Sequence, residues 1–236
     1  LEMMDKLAIQ AAESFVGAGY PEAAEAMLLC ELDGAQGELD MLIESARAVF
    51  KSNDCITFTV AFDVVERQKL WLGRKAAFPA VGRIAPDYYC MDGTIPRREL
   101  ANVLQAITDL SRKYELQVAN VFHAGDGNLH PLILYDANNS DQLTRAEAFG
   151  SEVLALCIEK GGTITGEHGV GIEKINEMCL QFNRDEIGVF HGIKKAFDHH
   201  GILNPGKAIP TLSRCAEFGA MHVHAGEERF PHLDRF

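Results

Sequence analysis

The run His123-Ala124-Gly125-Asp126-Gly127-Asn128-Leu129-His130 limits the architecture of this chain more than any other stretch. Asp-Gly favours a two-residue hairpin turn, because the central positions need positive φ. With Asp126-Gly127 at the tip, Gly125 faces Asn128, Ala124 faces Leu129 and His123 faces His130. Directly opposed residues share a face, with Cβ atoms about 4.5–5.5 Å apart. Two imidazoles at that spacing can share one metal ion. The flanks 117–122 and 131–135 read as the two strands. Such a hairpin rules out an all-parallel sheet.

Periodicity fills in the rest. It predicts a helix over 3–18, a strand over 26–32 and a strand over 55–60 rich in β-branched and aromatic residues. Between the strands lies a helix over 36–51, with Leu39, Leu42, Ile43, Ala46, Val49 and Phe50 on one side. A helix over 63–76 gives way to a loop marked by Pro79, Gly82 and Pro86. A strand over 86–92, a helix from Pro96 to about Glu115, the hairpin, and helices over 141–160 and 185–199 follow. Gly161-Gly162 and His200-Gly201 end those last two helices. The expected class is α+β: an antiparallel or mixed sheet covered by helices, with two ferredoxin-like β-α-β blocks, 26–60 and 87–135. From Ala208 periodicity is weak, and Met221-His-Val-His224 reads as an edge strand or a surface segment.

A net charge of −12 argues against an electrostatic nucleic-acid binder, since phosphate contacts need Lys and Arg. No 18-residue apolar run and no signal-like start appear, so no membrane span or secretion is expected and the location reads as cytoplasmic. The six cysteines are scattered without a C-x-x-C pair, which predicts reduced, structural thiols.

A third metal ligand has one good source. Thr165-Gly166-Glu167-His168-Gly169-Val170-Gly171 sets a carboxylate beside a histidine among glycines. Two His and one Glu with open positions is a common plan for a catalytic divalent cation, and it suits zinc, manganese or iron. The segment lacks both nucleotide-loop spacings. Glu167 then reads as ligand and His168 as a base, which must be neutral to accept a proton. The bland alternative is that each histidine is an ordinary core or surface residue. Arg74, in Leu70-Trp-Leu-Gly-Arg-Lys75, can grip a carboxylate in a bidentate fashion, although an arginine at a helix end is ordinarily solvated. Leu203-Asn-Pro-Gly-Lys207 is a turn by its own chemistry. The histidines at 191, 199, 200, 222, 224 and 232 have no metal spacing and read as surface residues.

Five segments carry a resemblance: W-x-x-R-K-x-A-F-P-A-V-G-R (71–83), P-D-Y-Y-C-M-D-G-T-I-P-R (86–97), H-A-G-D-G-N-L-H-P (123–131), G-E-H-G-V-G (166–171) and L-N-P-G-K (203–207). Together they resemble the carboxy-terminal domain of FAD-linked 2-hydroxy-acid oxidoreductases, a family that includes D-lactate and D-2-hydroxyglutarate dehydrogenases. The resemblance implies one substrate or cap domain over 1–236, with the flavin held mainly by an amino-terminal domain absent from this chain. The chain alone is therefore expected to be inactive and to bind flavin poorly. It further implies FAD and a divalent metal as cofactors, His123, His130 and Glu167 as metal ligands, His168 as base and Arg74 as the clamp on the substrate carboxylate. Asn204 would approach the flavin and Asn128 would support the site. The implied reaction oxidises a small 2-hydroxy acid, glycolate or D-lactate, to the 2-oxo acid. Implied partners are that substrate, other oxidase subunits, which could hold the enzyme at the periphery of the inner membrane, and a second copy of the chain.

Two departures narrow the substrate. The 2-hydroxyglutarate enzymes carry an Asn where Leu132 stands, and their second carboxylate-binding positions appear here as Phe78 and Cys90. Both changes fit a short apolar substrate. The same His-His-Glu set would also serve a metal-dependent hydrolase, and the domain could instead be a non-catalytic ligand-binding or subunit-docking module.

Overall fold

In the computed structural model, residues 1–211 are described. The chain forms two compact units. The first comprises Leu1–Met91 and Leu104–Gly150, and the second Asp92–Val103 with residues 151 onward.

The first unit holds five strands: β1 (Glu2–Asp5), β2 (Ala26–Leu29), β3 (Asp87–Cys90), β4 (Val118–Phe122) and β5 (Pro131–Tyr135). Their order is β2-β1-β4-β5-β3, with every pairing antiparallel. The expected class therefore stands. β1 lies inside the stretch expected to be helical. Met3 and Met4 are both buried, so this short strand shows none of the alternation by which a strand is read. Helix α1 (Lys6–Val16) starts where the Asp5 carboxylate accepts the Ala8 N–H at 3.0 Å, satisfying an otherwise orphaned donor. Ala8, Ile9 and Ala12 of α1 pack with Ala77, Ala80 and Val81 of α3 (Val64–Val81) and with Val121 and Leu132 of the sheet. Small side chains on both helices allow the close approach that this layer needs.

Two further expectations fail in this unit. Helix α3 runs through Pro79 instead of ending before it. Helix α2 (Gln36–Ser52) forms as expected, with none of its residues fully buried. Residues 55–60 make no strand, so the first β-α-β block lacks its closing strand. β-branched composition favours extended backbone, but a strand also needs a partner for its N–H and C=O groups. The stretch packs instead by Phe58 against Phe50, with ring centroids 5.6 Å apart.

In the second unit, a 3-10 turn at Arg97–Glu99 leads into α4 (Leu100–Tyr114), and α5 spans Ser140–Glu159. Both helices contribute residues to each unit. Two further helices, α6 (Met178–Gln181) and α7 (Arg184–Phe197), follow. Helix α7 is opened by a capping box between Asn183 and Glu186. Ile95, Val103, Val153, Leu154, Cys157, Ile164, Ile175, Met178 and Ile187 are the buried apolar residues of the second unit among those described. Cys30, Cys55, Cys90 and Cys157 carry free thiols, and burial pushes that of Cys157 up to about 12. Cys179 is disulfide-bonded, against the expectation of reduced thiols throughout. Among the described residues no helix is long and apolar enough to cross a membrane. The segment 221–224 and His222, His224 and His232 lie outside the described residues, whereas His191, His199 and His200 are exposed as expected.

Candidate functional site

In the first unit the hairpin does place the two histidines together, by a different register from the one expected. Asn120 pairs with Pro131, and an isolated bridge sets His123 opposite Asn128. The turn is therefore four residues, 124–127, not two. The amides of Asp126, Gly127 and Asn128 all donate to the His123 carbonyl, at 3.1, 3.1 and 3.3 Å. Gly127 sits at φ +75°, a left-handed backbone that a side chain disfavours. The register differs from expectation by two residues, and a shift of two leaves every side chain on its face. His123 and His130 thus remain neighbours, on a diagonal, with ring centroids 5.0 Å apart and planes at 82°. His130 is 3% exposed, while His123 is half-buried.

The partner of His123 is Glu2. β1 pairs Met3 with Phe122, so one further step along that register brings Glu2 opposite His123 on the same face. His123 Nδ1 lies 2.9 Å from Glu2 Oε1, and Arg74 Nη2 donates to Glu2 Oε2 at 2.7 Å. Arg74 is itself buried, in the body of α3 and not at a solvated end. The Tyr20 hydroxyl fixes its backbone: it accepts the Arg74 N–H at 2.9 Å and donates to the Leu70 carbonyl. The hydroxyl thus occupies the place of the ordinary i to i−4 bond. Only a glycine at position 73 permits this, because a Cβ there would lie 2.2 Å from the Tyr20 ring. Arg74 Nε is buried without a hydrogen-bond partner among the described residues, as is Asn128 Oδ1. Phe78 sets its ring edge toward His130, with centroids 6.3 Å apart, and Cys90 pairs with Leu132 across β3 and β5. Of the three positions that depart from the 2-hydroxyglutarate pattern, Cys90 and Leu132 thus lie within the sheet and Phe78 on α3.

The second unit holds Glu167, His168 and Asn204. The loop of Glu167 and His168 is wrapped around one fully buried carboxylate, Asp92. Its Oδ2 accepts from Thr165 Oγ1 at 2.6 Å, from the amides of Gly166 and His168 at 3.1 and 3.0 Å, and from Lys174 Nζ at 2.9 Å. Its Oδ1 accepts the Glu167 amide at 3.0 Å. Burial alone would raise the Asp92 carboxyl, but the bonds from Thr165, Lys174 and the loop amides outweigh it and hold the group well below the usual carboxylate range. The side chains of Glu167 and His168 stay exposed, with His168 Nε2 3.7 Å from Glu167 Oε1. Asp92, Glu167 and His168 each offer one ligand atom, all within 4.8 Å of one another. Asn204 is exposed at φ +44° in its turn.

Sequence reasoning missed Glu2, Tyr20, Asp92 and Lys174. Glu2 becomes legible only once β1 is known to be a strand. Asp92 falls at the end of the strand expected over 86–92, and nothing local shows a tether to residues more than 70 positions away.

The family model described as FAD linked oxidases, C-terminal domain, matches residues 1–208. The chain is 61% identical over all 236 residues to glycolate oxidase subunit GlcD of Escherichia coli, covering 47% of that protein. It is 37% identical over 214 residues to glycolate oxidase subunit GlcD of Bacillus subtilis, spanning 91% of this chain and 46% of that one. It is 30% identical over 223 residues to a D-lactate dehydrogenase of Anaerostipes hadrus, spanning 90% and 46%. The chain thus covers about half the length of the curated relatives it matches. Among solved structures, 4-ethylphenol oxidase from Gulosibacter chungangensis shares the fold, with a TM-score of 0.61 at 15% identity over 90% of this chain and 48% of that one.

Proposed function

The chain belongs to the family of FAD-linked oxidases, C-terminal domain, and on that premise we propose that it is the substrate-side half of an FAD-dependent enzyme that oxidises glycolate or D-lactate to the 2-oxo acid. The carrying observation is the 61% identity to a glycolate oxidase subunit over the whole chain. The polar cluster of His123, His130, Glu2 and Arg74 in the first unit supports it.

The residues present suit both absent groups. Two imidazoles 5.0 Å apart with a carboxylate available are a donor set for a divalent cation, and we assign His123, His130 and Glu167 to it. The buried Asn128 Oδ1, with no hydrogen-bond partner among the described residues, and the exposed Asn204 are assigned to the flavin side. Bound FAD would supply the hydride acceptor, and the cation would supply Lewis acidity toward the substrate hydroxyl.

This chain's own residues do the rest. Arg74, which gives one Nη2–H to Glu2, holds the substrate carboxylate with its remaining N–H groups. His168 takes the hydroxyl proton onto a ring nitrogen as hydride leaves the α-carbon. Phe78, Cys90 and Leu132 offer no charge to a second carboxylate, which favours short monocarboxylates. The subunit designation of the relatives supports other oxidase subunits as partners, and our reading extends this to a cytoplasmic enzyme attached peripherally to the membrane through them.

The test is a substrate panel on the full-length enzyme with an artificial electron acceptor, before and after chelation, paired with elemental analysis. Turnover of glycolate or D-lactate, lost with the metal and restored by its return, is expected. Ester or phosphoester hydrolysis without flavin, or no turnover of any 2-hydroxy acid, would overturn the reading.

A further inference from the structure

We infer that Glu2 is a positioning residue, one carboxylate that orients Arg74 with one oxygen and selects the tautomer of His123 with the other. A carboxylate facing a guanidinium only accepts hydrogen bonds. The 2.9 Å contact at Glu2 Oε1 therefore requires the proton on His123 Nδ1. In the neutral ring this leaves the lone pair on Nε2. The 2.7 Å contact at Oε2 takes one Nη2–H of Arg74 and fixes the guanidinium plane, leaving the buried Nε without a hydrogen-bond partner among the described residues.

Glu2 is well placed for this double task. It is the first residue of a strand held between two neighbours, paired with Leu29 on one side. Its side chain is 16% exposed, so little water competes for either oxygen. The Leu1 carbonyl next to it accepts the Gly125 amide at 2.9 Å, which ties the start of β1 to the hairpin turn. Arg74 is locked from the other side by Tyr20. Both ends of the relay are therefore anchored before any ligand arrives. A carboxylate that orients a ligating imidazole is a recurrent way to tune a metal site. That part of the consequence rests on the metal assignment above, whereas the tautomer and the Arg74 contact do not.

Glu2→Gln separates the two roles. The amide has one acceptor oxygen, which the cationic Arg74 claims, so its NH2 turns to His123 Nδ1. That forces the proton to Nε2 and inverts the tautomer. The experiment uses the full-length flavin-loaded enzyme, labelled with ¹⁵N-histidine and stripped of metal, with His123 assigned by the His123→Asn variant. Wild type is expected to show the Nδ1–H form and Glu2→Gln the Nε2–H form. In Glu2→Gln, Co²⁺ affinity falls by about 10–100-fold, the range usual for losing such a partner, and KM for glycolate rises by a larger factor than kcat falls.

An Nε2–H form or an imidazolium in wild type at pH 8 overturns the inference whether or not the variant folds. So does an unchanged tautomer in a folded Glu2→Gln. Co²⁺ titration of His130→Ala reads the metal assignment separately. If that variant binds Co²⁺ like wild type while the tautomer inverts as stated, the metal assignment fails and the role of Glu2 stands.

Discussion

The hairpin of the first unit and the Gly-Glu-His-Gly loop of the second present histidines by opposite means. In the hairpin, register does the work: neighbouring strands set His123, His130 and Glu2 on one face, and packing keeps them there. In the loop, no ladder holds Glu167 or His168. Three successive amides, a threonine hydroxyl and a lysine converge on the carboxylate of Asp92. A sheet spreads the job over many weak, mutually consistent bonds. The loop concentrates it in one group, and it should be correspondingly easy to break.

Asp92→Ala is the largest expected lesion. Lys174 and Asp92 are 1% and 0% exposed, so removing the acid leaves a buried ammonium and several loop amides without their acceptor. Breaking a buried pair in this way typically costs about 3–5 kcal/mol. Denaturant unfolding of the full-length enzyme should show a loss of that size together with loss of turnover. A change under about 1 kcal/mol, the range of a surface pair, would mean the loop is held by something else and the contrast with the hairpin is false.

His168→Ala sharpens the same contrast. The backbone of His168 is tethered, but its side chain is exposed. Its loss should leave stability and flavin content unchanged while lowering turnover about 10²–10⁴-fold, as expected for a general base. Retained turnover in steady-state assays removes His168 from that role.

Gly127→Ala probes the hairpin. At φ +75° an added Cβ is disfavoured by roughly 1–2 kcal/mol. The ladder on either side should absorb this without moving the histidines. A denaturation midpoint shifted by that amount, with Co²⁺ affinity kept, is the expected result. A loss of Co²⁺ binding in a protein of near-wild-type stability would show that the turn, not the register, places the imidazoles.

The same distinction decided what could be read from the sequence. The histidine pair was legible because strand alternation is local and an error of two residues in register changes no face. Met3-Met4 hid β1, and with it the register that makes Glu2 the partner of His123. Arg74 was legible as a carboxylate grip, but its burial was not: that depends on Tyr20 threading its hydroxyl past Gly73, a contact spanning more than 50 residues. Strand 55–60 failed because β-propensity names residues that suit a sheet without naming the neighbour they need. Asp92 and Lys174 were invisible because a tether has no period.

The second unit repeats its device in a weaker form at Asp198, near Asn204. Its carboxylate accepts the amides of Ile202 and Leu203, each at 2.9 Å, and Lys194 Nζ at 2.8 Å. The Lys194 bond holds the carboxyl below its ordinary value, despite the opposing push of desolvation. A group depressed in the folded state contributes its stabilisation above its unfolded pKa, near 3.9 for an aspartate, and loses it as pH falls through the folded value. Hydrogen exchange at 202 and 203, corrected for intrinsic rates, should therefore stay constant from pH 8 to about 5 and rise only below about 4. Asp198→Asn should remove that acid limb and leave a uniformly faster exchange. Because Lys194 is one-third exposed, the effect on global unfolding should be small. If exchange at 202 and 203 instead accelerates between pH 8 and 5, a group other than this carboxylate secures the Asn204 turn, and tethering by a single acid is peculiar to Asp92.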